Sequence, residues 1–311
     1  MPILKVIVLA IVQGFAELLP ISSSAHVVVA EKLMGLDPSS PQMTLLLVML
    51  HTGTMFAVIV FFWRTWKDTY FSSGQAFKRF AGLAVWATLI TAVVGEALKV
   101  VIEKTFFRGA AKAEIELLFS HLELIAPALA TAGLLILVAG ILERRTMKDP
   151  TLLFGPNFGK DGAPQHSGGL VSAAQAGWMG FVQGLALPFR GFSRSGSTIS
   201  AGMMAGAAKQ GAERFSFALA VILTPPVVAT ELLRLLKAAH AGAVPGLTMT
   251  APINLHAALV SSLLGMVFSF FAGLIALKWL SSWLETGRWY LFGIYCLLAS
   301  VAVFYLHARG L

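Results

Sequence analysis

Residues 11–26 read IVQGFAELLPISSSAH, and residues 181–197 read FVQGLALPFRGFSRSGS. Both open on Val-Gln-Gly, continue through a short apolar run, meet a proline and end in hydroxyl residues. Each interrupts a stretch of membrane-grade hydrophobicity with groups that hydrocarbon rejects: Glu17 and His26 in the first, Arg190 and Arg194 in the second. An ionisable side chain at bilayer depth costs roughly 2.5–3.5 kcal/mol even on lenient insertion scales. Four of them at two matched places predict one polar site assembled from the two halves of a duplicated membrane protein.

Composition agrees. The 311 residues are 57% hydrophobic and only 12% charged, with a mean hydropathy of +0.79, whereas soluble domains carry about 25% charged residues. No stretch reads as a separate soluble domain, so the chain is expected to be one integral membrane unit over 1–311. The formal charge of +8 points to basic loops on anionic lipid rather than to nucleic acid. Cys296 is the single cysteine, which excludes an internal disulfide and a thiolate metal cage. Glu17 lies inside the first apolar stretch and no small-residue cleavage site follows it, so that stretch is not read as a removable signal peptide.

Ten apolar segments can be marked, at about 2–19, 22–36, 43–63, 80–102, 116–142, 170–187, 196–208, 213–237, 253–280 and 288–307. All are expected to be helical, since backbone in lipid must satisfy its own hydrogen bonds and no strand alternation is visible. They divide five and five around a Gly- and Pro-containing linker at 143–169, giving repeats of about 1–142 and 170–311. In each repeat the echoed phrase forms a re-entrant helix hairpin, and three transmembrane helices follow. An odd number of crossings turns the second repeat upside down relative to the first. Loop charge leans toward both termini lying outside the cytoplasm, with twelve Lys and Arg on the assigned cytoplasmic side against nine.

Gln13 and Glu17, spaced i, i+4, project from one helix face and suit a hard divalent cation, Mg²⁺ or Ca²⁺, that also binds phosphate oxygens. After Pro20, the cluster Ser22, Ser23, Ser24 offers caps and an anion cradle, with His26 available as acid, base or nucleophile. The second copy, Ser193-Arg194-Ser195-Gly196-Ser197-Thr198, combines backbone amides, hydroxyls, a helix N-terminus and a planar guanidinium, which is what a phosphate or diphosphate needs. His51, Thr52, Thr54, Glu96, Glu123, Glu231 and His256 read as mainly structural or as segment ends.

On these two motifs the chain resembles the undecaprenyl-diphosphate phosphatase family, also called the bacitracin-resistance family. Its first motif, (E/Q)xxxE with a following Pro, serine cluster and His, is met by Gln13, Glu17, Pro20, Ser22 to Ser24 and His26. Its second, PGxSRSG with a following Thr, is met from Pro188 to Thr198, except that Phe189 and Arg190 separate the proline from Gly191. Gln13 is the neutral option at the first position. The resemblance spans essentially the whole chain. It implies removal of the terminal phosphate from a polyisoprenoid diphosphate, regenerating the monophosphate lipid carrier of cell-wall synthesis.

It further implies that Glu17 and Gln13 organise the divalent ion, and that Ser193, Arg194, Ser195, Gly196 and Thr198, with Ser22, bind the diphosphate. Ser23 or His26 is the implied nucleophile. The implied location is the bacterial cytoplasmic (inner) membrane, with the site open to the periplasmic or outer side. The implied partners are the lipid substrate and membrane lipids, without nucleic acid, and a homodimer is an admissible assembly. Two other readings use the same residues. A polyisoprenoid-phosphate transporter or flippase needs the anion site but neither His26 nor a serine nucleophile. The type-2 phosphatidic-acid phosphatase superfamily is rejected, because Ser200 stands where its histidine belongs.

Overall fold

A computed structural model of the chain describes residues 2–36, 41–106, 122–148, 170–241, 255–284 and 287–309. Among these residues there are ten helices and no strand: α1 (Ile3–Leu18), α2 (Ser23–Leu33), α3 (Pro41–Thr69), α4 (Gly74–Phe106), α5 (Leu122–Lys148), α6 (Ala173–Ala186), α7 (Arg194–Met204), α8 (Lys209–Ala241), α9 (Leu255–Leu284) and α10 (Trp289–Ala308). Six are long and apolar enough to cross a bilayer: α3, α4 and α5 in the first half, α8, α9 and α10 in the second. The molecule is therefore an all-helical, multi-pass membrane protein. The other four are short, with 16 and 11 residues in α1 and α2 and 14 and 11 in α6 and α7. The first residues of the 143–169 stretch are helical, because α5 runs on to Lys148. Its remainder lies outside the described residues, as does the start of the 116–142 segment.

Local sequence explains the breaks. Pro20 disfavours helical backbone at the residue before it, and Leu19 is accordingly extended, at φ −80° and ψ 151°. The chain then passes through Ser22 at φ 69°, the one non-glycine residue with positive φ among those described, before α2 begins. In the second half, α6 starts on a capping box between Ser172 and Gln175 and stops ahead of Pro188. Gly191 makes the turn at φ +102°, and a Cβ there would stand 2.5 Å from the Ile125 carbonyl oxygen, so only glycine fits.

The packing exchanges elements between the halves. α1 lies against α9, α6 lies against α4, α5 pairs with α10, and α3 pairs with α8. The glycine of each Val-Gln-Gly sits at one of these crossings. A Cβ on Gly14 would meet Ala272 Cβ at 2.5 Å, and one on Gly184 would meet Val94 Cβ at 2.7 Å. Small residues let helix backbones approach where no hydrophobic force from water drives association. The outer faces of α4, α9 and α10 expose Trp86, Val93, Phe271, Ile275, Leu298 and Phe304, a lipid-facing surface that a water-soluble monomer would not carry. Polar side chains instead turn inward: Gln13, Ser193, Ser195, Ser197, Thr198 and Ser200 are all buried.

Candidate active site

Glu17 ends α1 and is the point on which both hairpins converge. Its Oε1 accepts from Arg194 Nη2 at 2.8 Å, across 177 residues of sequence. Its Oε2 accepts from Ser23 Oγ at 2.5 Å and from Gln13 Nε2 at 3.2 Å. His51 of α3 brings Nε2 to 3.5 Å from the same oxygen. Ser23 is the first residue of α2 and Arg194 the first of α7, so two helix N-termini, the positive ends of their dipoles, face this carboxylate. The same convergence suits an arriving anion. The turns themselves touch, since Gly191 N–H donates to Ser24 Oγ at 3.2 Å.

Beside Glu17 lies a small open pocket. Glu17, His51, Arg194, Thr54 and Thr224 supply its polar lining, and Leu18, Met55, Val58, Phe217, Ala220 and Val221 its apolar lining. Pro225 lies in α8 next to this lining, and its missing N–H removes the helical partner of the Val221 carbonyl. Charged and apolar side chains lining one pocket fit a head group attached to a hydrocarbon chain.

The hydroxyls of the second motif have other occupations. Ser193 caps α7, its Oγ accepting from Gly196 N–H at 3.2 Å, and Ser197 Oγ donates back to the Ser193 carbonyl. Thr198 is fully buried; its hydroxyl lies 2.7 Å from the Arg194 carbonyl oxygen and 2.5 Å from Ser216 Oγ on α8. Gly196 is where Pro20 of the opposite turn approaches, since a Cβ there would stand 3.1 Å from Pro20 Cβ and 2.6 Å from Ile136 Cδ1. Ser195 is buried on the same helix. These residues thus fix the end of α7 and aim Arg194. Arg190 is half-buried in the turn. Ser22 Oγ lies 3.3 Å from Ser24 Oγ.

His26 is held apart from the pocket. Its Nδ1 lies 2.7 Å from the Ser22 carbonyl oxygen, its Nε2 lies 2.6 Å from the Tyr295 hydroxyl, and the two rings stack at 5.6 Å. The imidazole that lines the pocket is His51, which composition and spacing alone do not single out. A histidine within an apolar span is the signal it offered. The remaining intramembrane candidates lie elsewhere: Glu96 beside Lys99 at 4.0 Å, Glu123 beside His307 at 3.3 Å, and His256 exposed. The side chain of Glu231 is outside the described set.

The donor set can be tested for a divalent ion. Gln13 is fully buried and its Oε1 has no hydrogen-bond partner, beside a carboxylate that also faces His51. Amide oxygen, carboxylate and imidazole are all competent metal donors. No group of three His, Cys, Asp or Glu side chains gathers among the described residues, so the protein offers part of a coordination shell, with the rest left to water and phosphate oxygens. A divalent ion fits on those terms.

Comparison with known proteins places this arrangement. Residues 6–302 match the family model described as bacitracin resistance protein BacA. The chain is 54% identical to undecaprenyl-diphosphatase 2 of Acinetobacter baylyi over 303 residues, covering 97% of each chain. It is 31% identical to undecaprenyl-diphosphatase 2 of Burkholderia thailandensis, over 94% of this chain and 92% of that one. It is 30% identical to the undecaprenyl-diphosphatase of Halothermothrix orenii, over 97% of both. With a match running nearly end to end, this chain belongs to the bacitracin-resistance protein family.

Proposed function

We propose that this chain is an integral-membrane phosphatase that hydrolyses undecaprenyl diphosphate to undecaprenyl phosphate and inorganic phosphate. It thereby recycles the lipid carrier of cell-wall synthesis and confers bacitracin resistance. It works in the bacterial cytoplasmic membrane as two inverted repeats, with the site open to the outer side. The observation that carries the reading is the contact of Glu17 with both Arg194 and Ser23, which brings a guanidinium and a hydroxyl to one carboxylate that lines a pocket with apolar walls.

Phosphoryl transfer is mainly positioning plus neutralisation of charge on the transferred group. Arg194 exchanges Glu17 for the phosphate oxygens, offering two parallel donors. The helix N-termini at Ser23 and Arg194 add their partial positive charge. Glu17 accepts the Ser23 proton as Oγ attacks the terminal phosphorus; the Oγ–P bond forms, the bridging P–O bond breaks, and undecaprenyl phosphate leaves. Glu17 passes that proton to the departing undecaprenyl phosphate. The regenerated carboxylate then takes a proton from the water that attacks the phosphoserine and hands it to Ser23 Oγ as the Oγ–P bond breaks, which returns free Ser23 and inorganic phosphate. What favours Ser23 over His26 as nucleophile is its 2.5 Å hydrogen bond to Glu17, against both ring nitrogens of His26 being engaged elsewhere. A divalent ion, Mg²⁺ or Ca²⁺, held by Glu17 and Gln13, would supply further neutralisation of the diphosphate.

The test is phosphate release from farnesyl diphosphate by the purified protein in detergent. Wild type is expected to turn over, and Ser23→Ala to bind substrate without hydrolysing it. Turnover by Ser23→Ala at the wild-type rate overturns the nucleophile assignment; phosphate-free lipid movement in liposomes by wild type, without hydrolysis, favours carriage instead.

A further inference from the structure

The imidazole of His51 is oriented in a way that the phosphatase reading leaves unused. Its Nδ1 lies 2.8 Å from the Leu47 carbonyl oxygen. A carbonyl only accepts, so Nδ1 carries the hydrogen, and Nε2 is the atom directed at Glu17 Oε2, 3.5 Å away. Anchoring one ring nitrogen on a backbone carbonyl is the usual arrangement of a metal-ligating histidine. Two ligands of one ion at about 2.1 Å stand roughly 3–4 Å apart, so the spacing suits a shared cation.

A second observation points to the same place. Gln13 donates its Nε2 to that same Oε2, while its own Oε1 is buried without a partner. An imidazole nitrogen and a side-chain amide thus meet at Oε2, and turning the Gln13 amide over would present its orphaned oxygen to an ion there; the guanidinium of Arg194 occupies the far oxygen, Oε1. A cation beside Oε2 and the nearby guanidinium are tolerated together once a diphosphate draws Arg194 from Oε1 and lies between the two charges.

We propose that His51 is the nitrogen ligand of the divalent ion held by Glu17 and Gln13, which shifts the site away from the hard ions Mg²⁺ and Ca²⁺ and toward first-row transition ions. Imidazole suits Fe²⁺, Ni²⁺ and Zn²⁺, whereas the hard alkaline-earth cations select oxygen; Mn²⁺, the weakest binder of the first-row series, serves as the spectroscopic probe. The proposal rests on the divalent-ion element of the function proposed above.

The experiment uses purified full-length protein in detergent, loaded with Mn²⁺ and the non-hydrolysable methylenediphosphonate, and read by electron spin-echo envelope modulation. Wild type is expected to show nitrogen-14 coupling to Mn²⁺. His51→Gln and His51→Ala are expected to lose that coupling and to bind Mn²⁺ on the order of tenfold or more weakly, with Mg²⁺ competing better than in wild type. A wild-type spectrum without nitrogen coupling overturns the proposal, and so does coupling that persists in either variant. The wild-type spectrum decides even if a variant fails to fold. Phosphate release from farnesyl diphosphate, measured on the same wild-type sample, is a separate readout: release without nitrogen coupling removes the His51 ligand and leaves the phosphatase standing.

Discussion

In the first turn the serines reach across to other elements, Ser23 to Glu17 of α1 and Ser24 to Gly191 of the opposite turn. In the second turn they reach back into their own helix, Ser193 to Gly196 and Ser197 to Ser193. Thr198, on the same helix, lies against the Arg194 carbonyl and Ser216. Both turns follow a Val-Gln-Gly phrase, and each glycine sits at a helix crossing, Gly14 against α9 and Gly184 against α4. The glutamines part ways after that. Gln13 finds Glu17 one turn on, whereas Gln183 finds Thr91 of α4 at 3.1 Å, and the residue four positions after it is Leu187. The polar groups of the first copy gather on Glu17 and the opposite turn, while the hydroxyls of the second hold the start of α7 and leave Arg194 to reach Glu17. Catalytic groups need a frame whose geometry does not relax, and the function proposed above assigns the two requirements to different halves.

Removing the charged group of the second copy is the severest way to break this division. Arg194→Ala should cut turnover by about 10³-fold or more, the range seen when a guanidinium that neutralises a transferred phosphoryl group is lost. Arg194→Lys should recover only part of it, because an ammonium lacks the planar fork. Steady-state phosphate release, with size-exclusion chromatography to verify folding, checks both, and a wild-type rate in the Ala variant would remove Arg194 from the site. Glu17→Gln comes next, with a fall of about 10²–10⁴-fold if the carboxylate acts as base. Since Glu17 and Arg194 act as a unit, the double variant should be little worse than either single one.

The spans, the breaks and the pairing of the two turns were legible in the residues, because each rests on local signals. Hydropathy marks the helices, Pro20 and Gly191 mark the turns, and the echoed phrase ties Glu17 to Arg194 although 177 residues separate them. Two things were not legible. Ser and Thr at a helix start serve equally as caps and as phosphate donors, so the fate of Ser193 and Thr198 depends on what surrounds them, here Gly196 and Ser216. The histidines are the other case. Nothing in the primary structure says that His26 turns toward Tyr295, 269 positions later, or that His51 shares a pocket with Glu17. A lone imidazole in an apolar span reveals its role only through partners on other helices.

The two glutamines sharpen the comparison at smaller cost. Gln13→Leu should lower turnover by roughly 10–100-fold, the size expected for loss of a group that orients a catalytic carboxylate or its ion. Gln183→Leu removes the same side chain from the same phrase in the other copy, and should leave turnover near wild type while destabilising the α4–α6 contact. Equal activity losses in the two variants would mean that the halves share the chemistry evenly.

The mildest test addresses the frame itself. Ser193→Ala deletes the cap on Gly196 N–H, a loss of about 1 kcal/mol for a helix N-cap. It takes away no hydroxyl that faces the pocket. If Ser193 only holds the start of α7, thermal stability should fall slightly and the Michaelis constant and turnover should move together by less than tenfold, through a loosened Arg194. If the Ser193 hydroxyl instead turns to clamp the diphosphate, its removal should cost turnover as heavily as Ser23→Ala while stability stays unchanged. Measuring unfolding temperature and kinetics on the same preparation separates the two, because a cap acts on the helix whether or not substrate is present and a clamp acts only when it is.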